Sequence, residues 1–428
     1  MSTKIVVIGA ASTVFGPKLL RDLVHYKDLA GSEVAFVDVN AERLDIYTRL
    51  AERVSDQSGM GYKIESTADR RDVLDGAEYV VETFAVGRNE IWQQDFQVPI
   101  KHGVKHVNAE CGGPGALMLT CRNTPELLAL AWDMEELCPE AWLMAATNPE
   151  GRLMGVLDRY SSLKCVGLCH GIEIILNKLD KEVLGIPADQ LEPTAAGTNH
   201  FTWLQELRRA DTGESVLAEL AEKLAAKEPD YMPLTRKMLE VFGQLPSPGD
   251  IHIGEFLQFA WEYVGMDGPN FQSRMSKPPK VWEKLARQAS GDEPLDEYLG
   301  GRTWADTLAG PLIDGLACNN RKRMPAVNVR NEGYIPNLPD GAIVEVPGIV
   351  DANGITPLRV DPLPAGIAAM CMREIGVADL SVEAAVHGDR SAALQCLLAD
   401  PHLNSVKAAE EILDELLESQ ADYLPQFK

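Results

Sequence analysis

The sequence predicts an α/β protein in which a parallel sheet, wound with helices, is followed by an α+β part. Three observations predict it. Over about the first 150 residues, short β-branched runs alternate with runs of helical apolar spacing. The first of them, "KIVVIGA" (4–10), ends near a glycine and opens into a helical pattern. Beyond about residue 195 the alternation stops. A strand–helix–strand rhythm implies parallel strands joined by right-handed crossovers.

In chain order, "GPKLLRDLVHY" (16–26) has helical spacing and "EVAFVDVN" (33–40) is a second strand ending in an acid. "AERLDIYTRLAERVSDQ" (41–57) is an amphipathic helix, and "AEYVVETFA" (77–85) is a strand. In "NTPELLALAWDMEELC" (123–138), Thr124 is placed to cap a helix with Pro125 at its first position. "AWLMAATNP" (141–149) and "LKCVGLCHG" (163–171) complete the strands of a Rossmann-like domain, expected over 1–195. The α+β remainder, 196–428, is expected to serve substrate binding and oligomerisation. Within it, 217–243 reads as mostly helical and 247–263 as a turn leading into a helix. Residues 265–300 read as a polar excursion or lid, and 341–360 as a hairpin with an Asn-Gly turn at 353–354. "SVKAAEEILDELLESQADYL" is an acidic amphipathic helix.

The chain has 428 residues, 45% apolar and 24% charged, with a formal net charge of −24. That balance argues against nucleic acid or an anionic membrane as partner, because both call for a basic surface. "MSTKIVVIGA" runs straight into a strand, with no secretory pattern. No apolar run of about 18 residues suggests a membrane span. The eight scattered cysteines lack the density of a disulfide framework and are expected to be reduced. A cytoplasmic protein is expected.

"VVIGAASTVFGPKLL" carries Gly9, Ser12 and Gly16 where a dinucleotide fingerprint has three glycines, with Ala11 in place of the second. Its position between a first strand and a helix supports pyrophosphate binding at the helix end. Gly9, Ser12, Val14, Phe15, Asp38 and Arg43 are the candidate cofactor contacts. Asp38 closes the second strand; its carboxylate suits ribose hydroxyls and repels a 2′-phosphate, favouring NAD over NADP. A plain βα turn is the alternative.

"LCHGIEI" (168–174) sets Cys169 beside His170, and "GTNHFTW" brings His200. A structural zinc site would want further cysteine pairs. Cys169 with His200 suits a catalytic divalent ion with open positions, or alternatively a buried thiol and an unrelated core imidazole. The strand-end position favours the ion, because ligands of open α/β sheets bind beyond the carboxyl ends of strands. Glu110 in "NAECGGPG" and Asp250 in "SPGDIHIGEF" are candidate acid and base, or else ordinary loop and capping carboxylates.

Together with "GGPGALMLTCRNTPEL", "ATNPEG" and "NEGYIPNLPDGAIVEVP", these segments resemble glycoside hydrolase family 4, the NAD- and divalent-metal-dependent glycosidases, over nearly the whole chain. The resemblance implies a lactate/malate dehydrogenase-like fold, NAD, Mn2+ or a similar ion, and a homodimer or homotetramer. It implies hydrolysis through oxidation at C3, deprotonation at C2, elimination of the aglycone, addition of water and re-reduction. Carried over residue by residue, it implies Cys169 and His200 as metal ligands, and Asn148, His170 and Arg88 as substrate contacts. Asp250 falls where the C2 base would stand. Glu110 stands where the family usually has an aspartate as leaving-group acid. "CHG" and Asp250 are similar to members acting on unphosphorylated α-glycosides, with Gly171 pointing to α-hexuronides. An acidic sugar needs a cationic clamp, for which "NNRKRMP" offers Arg321, Lys322 and Arg323, or merely a solvated run. Rival readings are a 2-hydroxy-acid dehydrogenase, a non-enzymatic NAD sensor, and a same-scaffold glycosidase for another modified acidic sugar.

Overall fold

A computed structural model describes residues 3–300 and 307–428. Six parallel strands form the first half of its sheet: β1 (Lys4–Ile8), β2 (Glu33–Val37), β3 (Lys63–Thr67), β4 (Tyr79–Glu82), β5 (Trp142–Ala145) and β6 (Lys164–Gly167). Their order is β3-β2-β1-β4-β5-β6. The winding reverses between β1 and β4, which opens a crevice at the carboxyl ends of the strands. Alternate residues face two cores, Ile5, Val7 and Phe36 in one and Val6, Ile8 and Val37 in the other. That double burial is why these strands read as continuous apolar runs.

The second half comprises β7 (Leu191–Thr198), β8 (Phe201–Arg209), β9 (Leu245–Ser247), β10 (Lys322–Arg330), β11 (Ile343–Asp351) and β12 (Gly354–Pro357). These extend the same sheet antiparallel, β6-β10-β11-β7-β8-β9, with β12 on β11. The expected hairpin forms from β11 and β12, its loop being Ala352–Asn353 and Gly354 taking φ 120°.

The helix read at 123–138 instead runs from Gly113 to Leu137. Thr124 is no cap, for its hydroxyl donates to the Thr120 carbonyl at 2.8 Å. Pro125 lies inside the helix, where it deprives the Cys121 carbonyl of its usual partner. Gln426 Nε2 supplies that bond at 2.7 Å. Next to Cys121, Arg122 pairs with Asp95 at 2.6 Å, both side chains fully buried, and Gln420 bonds to each. Two C-terminal glutamines thus latch this helix.

The stretch 265–300, read as an excursion, contains the helix Phe271–Ser290. Asn270 caps it through Ser273 N, and Phe271, Trp282, Leu285 and Ala289 bury one face. Pro278 and Pro279 lie within it. The 217–243 stretch forms two helices, Leu217–Ala225 and Pro233–Phe242. The tail helix is Val406–Ser419, capped by Ser405. No described helix is long and apolar enough to cross a membrane. All eight cysteines are free thiols.

Candidate active site

At the end of β1 the chain turns through Gly9 at φ +81°, where an added Cβ would lie 2.9 Å from the Phe84 backbone nitrogen. A Cβ on Gly16 would meet the Ala10 carbonyl at 2.4 Å. Both positions therefore need glycine. The helix Phe15–His25 has no side-chain cap at Val14, which is 68% exposed. Ser12 folds its hydroxyl back to Phe15 N at 3.2 Å. Asp38 accepts from Ala11 N at 3.0 Å and Asn40 N at 2.9 Å, tying the turn to the end of β2. The arrangement fits a dinucleotide: a tight turn, a helix start whose Val14 cap position makes no side-chain bond, and a carboxylate at the second strand. Arg43 lies with its guanidinium 5.5 Å from the Trp282 ring centre.

Beyond β4 and β5, Glu110 gathers two of the other expected site residues, Arg88 and Asn148. It pairs with Arg88 and accepts from Asn148 Nδ2 at 3.0 Å and Asn108 Nδ2 at 3.3 Å. Burial alone would raise the Glu110 pKa. The Arg88 and His252 charges and the hydrogen bonds of Asn148 and Arg88 outweigh it and hold the carboxyl well below its usual range. Glu255 fixes the loop from below, its Oε1 accepting from the backbone amides of Glu110 and Cys111 at 2.5 and 2.7 Å. Trp92 braces the same loop by donating to the Asn108 and Ala109 carbonyls.

His200 takes φ +59° between β7 and β8 and meets Cys111 Sγ through Nδ1 at 3.1 Å. Burial pushes its pKa down to about 3, aided by the His252 and His170 charges. A neutral imidazole with Nδ1 engaged presents Nε2 to a ligand. The His252 ring lies 4.7 Å from that of His200. Burial opposes protonation of His252, but Glu255, whose Oε2 lies 3.7 Å from His252 Nδ1, and the charge of Glu110 prevail and raise its pKa. Asp250 accepts from Thr235 Oγ1 at 2.5 Å, Thr235 N at 2.8 Å and Leu234 N at 3.3 Å, and so caps the helix Pro233–Phe242.

Cys169 lies just past β6, fully enclosed. Its sulfur and the carboxylates of Glu150 and Glu345 present ligand atoms within 4.8 Å of one another, all buried. Asn199 Nδ2 bridges the two acids at 2.6 and 3.3 Å, and Asn328 and Thr202 donate to Glu345. Glu150 Oε1 has no hydrogen-bond partner. Burial, then Glu345 and Glu82, push the Glu150 pKa well up; burial, then Glu345 and Glu150, do the same for Cys169. A buried thiol beside two carboxylates is a donor set that fits a divalent cation.

Comparison with known proteins decides the family. A family model described as family 4 glycosyl hydrolase matches residues 4–185, and one for the C-terminal domain of that family matches 195–403. The chain belongs to glycosyl hydrolase family 4. It is 29% identical to an α-glucosidase of Erwinia rhapontici, with all of both chains covered. It is also 29% identical to an α-galactosidase of Bacillus subtilis, over 99% of this chain and 100% of the relative. A 6-phospho-α-glucosidase from gut microorganisms, solved in complex with NAD and Mn2+, superposes with a TM-score of 0.87 at 20% identity over the whole of both chains. This family 4 protein is thus a glycosidase with an N-terminal Rossmann-like domain and a C-terminal domain.

In this family 4 chain, Arg88, Glu110 and Asn148 share one hydrogen-bonded group, and His170 acts electrostatically on His200. Asp250 is joined instead to the Pro233–Phe242 helix. The basic run is engaged elsewhere: Lys322 pairs with Asp314 at 2.7 Å, and exposed Arg323 donates to the Pro193 carbonyl at 2.9 Å. Sequence reasoning missed Cys111, Glu150, His252, Glu255 and Glu345, although each lies inside a segment quoted above. It also missed Arg274, whose guanidinium lies 4.5 Å from the Trp92 ring centre, as that of Arg88 lies at 4.4 Å.

Proposed function

We propose that this family 4 enzyme hydrolyses unphosphorylated α-glycosides, hexuronides among them, using NAD and Mn2+ or a similar ion. When bound, NAD would take and return a hydride at C3 and the ion would polarise the C3 oxygen. Gly9, Ser12, Val14, Phe15, Asp38 and Arg43 would hold NAD. Cys169 and His200 would hold the ion, with Glu150 and Glu345 beside Cys169. Asn148 and His170 would orient the sugar. Asp250 is the base at C2 in this scheme and gives up its Thr235 hydroxyl bond to take the proton. Glu110 assists the leaving group; it gains a proton only when Arg88 turns toward the substrate, since burial then governs it.

The observation that carries the reading is the convergence beyond β5 and β6 of the Asn148–Glu110–Arg88 group and the Cys169 donor set, on a sheet whose β1 ends in a nucleotide turn. Relatives named for α-glucosidase and α-galactosidase activity support the α-glycoside class. The test is a panel of aryl α- and β-glycosides and hexuronides, with NAD, Mn2+ and a thiol reductant omitted in turn. Turnover of α-glycosides that needs all three, with solvent deuterium entering C2 of the product, is expected. Activity without NAD and without exchange would overturn the scheme, and stoichiometric NADH would favour the dehydrogenase reading.

A further inference from the structure

Trp92 is a buried platform for two cations. Its ring is 1% exposed, its Nε1 is spent on the Asn108 and Ala109 carbonyls, and the guanidiniums of Arg88 and Arg274 both lie over it. The two arginines differ in what answers them. Arg88 has Glu110 as its counterion. The Arg274 guanidinium has no hydrogen bond or ion pair among the described residues, although it senses the Glu110 and Arg88 charges. It projects from the first turn and a half of the Phe271–Ser290 helix, whose start is fixed by the Asn270 cap and by Phe271 edge-on to Trp92 at 5.5 Å. A guanidinium held on an aromatic face has already lost much of its freedom, so closing a fork on a planar anion costs little further entropy.

We infer that Arg274 is the specificity-determining residue for an acidic sugar, binding a substrate carboxylate beside the Arg88–Glu110 pair. The inference rests on the glycosidase reading and narrows its substrate to α-hexuronides. It also moves the clamp from Arg321–Arg323, whose Lys322 and Arg323 are engaged elsewhere, to the Trp92 ring beside Arg88. Charge decides between the two anions a sugar can carry at its sixth carbon. One open guanidinium matches the single charge and planar fork of a carboxylate. A phosphate, near −2 at neutral pH, would be answered only in part by Arg274, and Glu110 would repel its doubled charge more strongly than that of a carboxylate.

The test compares wild type, R274M and R274K on an aryl α-hexuronide, the matching neutral aryl α-glycoside and its 6-phosphate. Methionine keeps the apolar stem on Trp92; lysine keeps the charge without the fork. The readout is the ratio of kcat/KM for hexuronide over neutral glycoside. It should fall about 10- to 100-fold in R274M, mainly through KM, and less in R274K, the range expected for one charge-assisted hydrogen-bond pair. An unchanged ratio in R274M, or a wild type that prefers the 6-phosphate or the neutral sugar, overturns the inference while leaving the glycosidase reading standing. Calorimetric binding of glucuronate separates the remaining case. A chain inactive on all three sugars that binds glucuronate through Arg274 retains the clamp and loses the glycosidase reading. Glucuronate binding indifferent to R274M removes the clamp.

Discussion

Arg88 is the counterion of Glu110, a carboxylate with only 7% of its side chain exposed. Burial is the largest single influence on that acid and acts to protonate it, so its ionised state depends on Arg88 and its neighbours.

Removing the cation should therefore produce a pH-dependent loss. In wild type the Glu110 pKa is depressed, and the stability this contributes is present above the unfolded value and lost only on strong acidification. In R88M only the His252 charge and the asparagine bonds are left to oppose burial, so the carboxyl pKa rises and the ionised form becomes costlier as pH climbs. Denaturant unfolding should show R88M destabilised by about 3 kcal/mol at pH 8 and clearly less at pH 5. Equal losses at both pH values would mean that Arg88 does not control the acid.

Glu82 offers a second titration. It closes β4, is 0% exposed, and neither carboxylate oxygen has a hydrogen-bond partner. Burial pushes its pKa up to about 7. A raised value means that this group's stability is full below the unfolded carboxylate pKa and is lost as pH climbs through 7. E82Q should gain on wild type between pH 5 and pH 8 by up to about 3 kcal/mol. A gap that does not widen with pH would show the carboxylate to be solvated or paired.

The donors around Cys169 can be tested without turnover. E150Q and E345Q should each bind Mn2+ at least about tenfold more weakly than wild type, by calorimetry or by the electron paramagnetic resonance of free Mn2+. Circular dichroism would confirm that each variant is folded. Wild-type affinity in both would detach the acid pair from the ion.

The parallel half of the fold was legible because its strands are apolar on both faces and its nucleotide turn sits between a strand and a helix. The Gly113–Leu137 helix was misread because Pro125 looks like a first helical residue, and its rescuer Gln426 is 301 positions away. The Phe271–Ser290 helix was hidden by Pro278 and Pro279, although Trp282, Leu285 and Ala289 hold helical spacing.

The site was legible where one local segment supplies the chemistry, as in "ATNPEG" or "LCHG". It was not where side chains converge from distant segments. Nothing near Cys169 in sequence announces Glu345, and nothing near Arg88 announces Arg274, which meets it over the ring of Trp92. A Cβ on Gly171 would press on Cys169 Sγ and Pro248, both at 3.2 Å, so this glycine makes room for the thiol.

The glutamine latch also dates the active site within the life of the chain. The helix that starts three residues after Glu110 gains its last carbonyl partner from residue 426, and Arg122 shares its buried charge with residue 420. Neither bond can form before residue 420 has emerged from the ribosome. Loss of either glutamine would unfasten the same helix, so the setting of the Glu110 loop hangs on two side chains about 300 positions further along the chain.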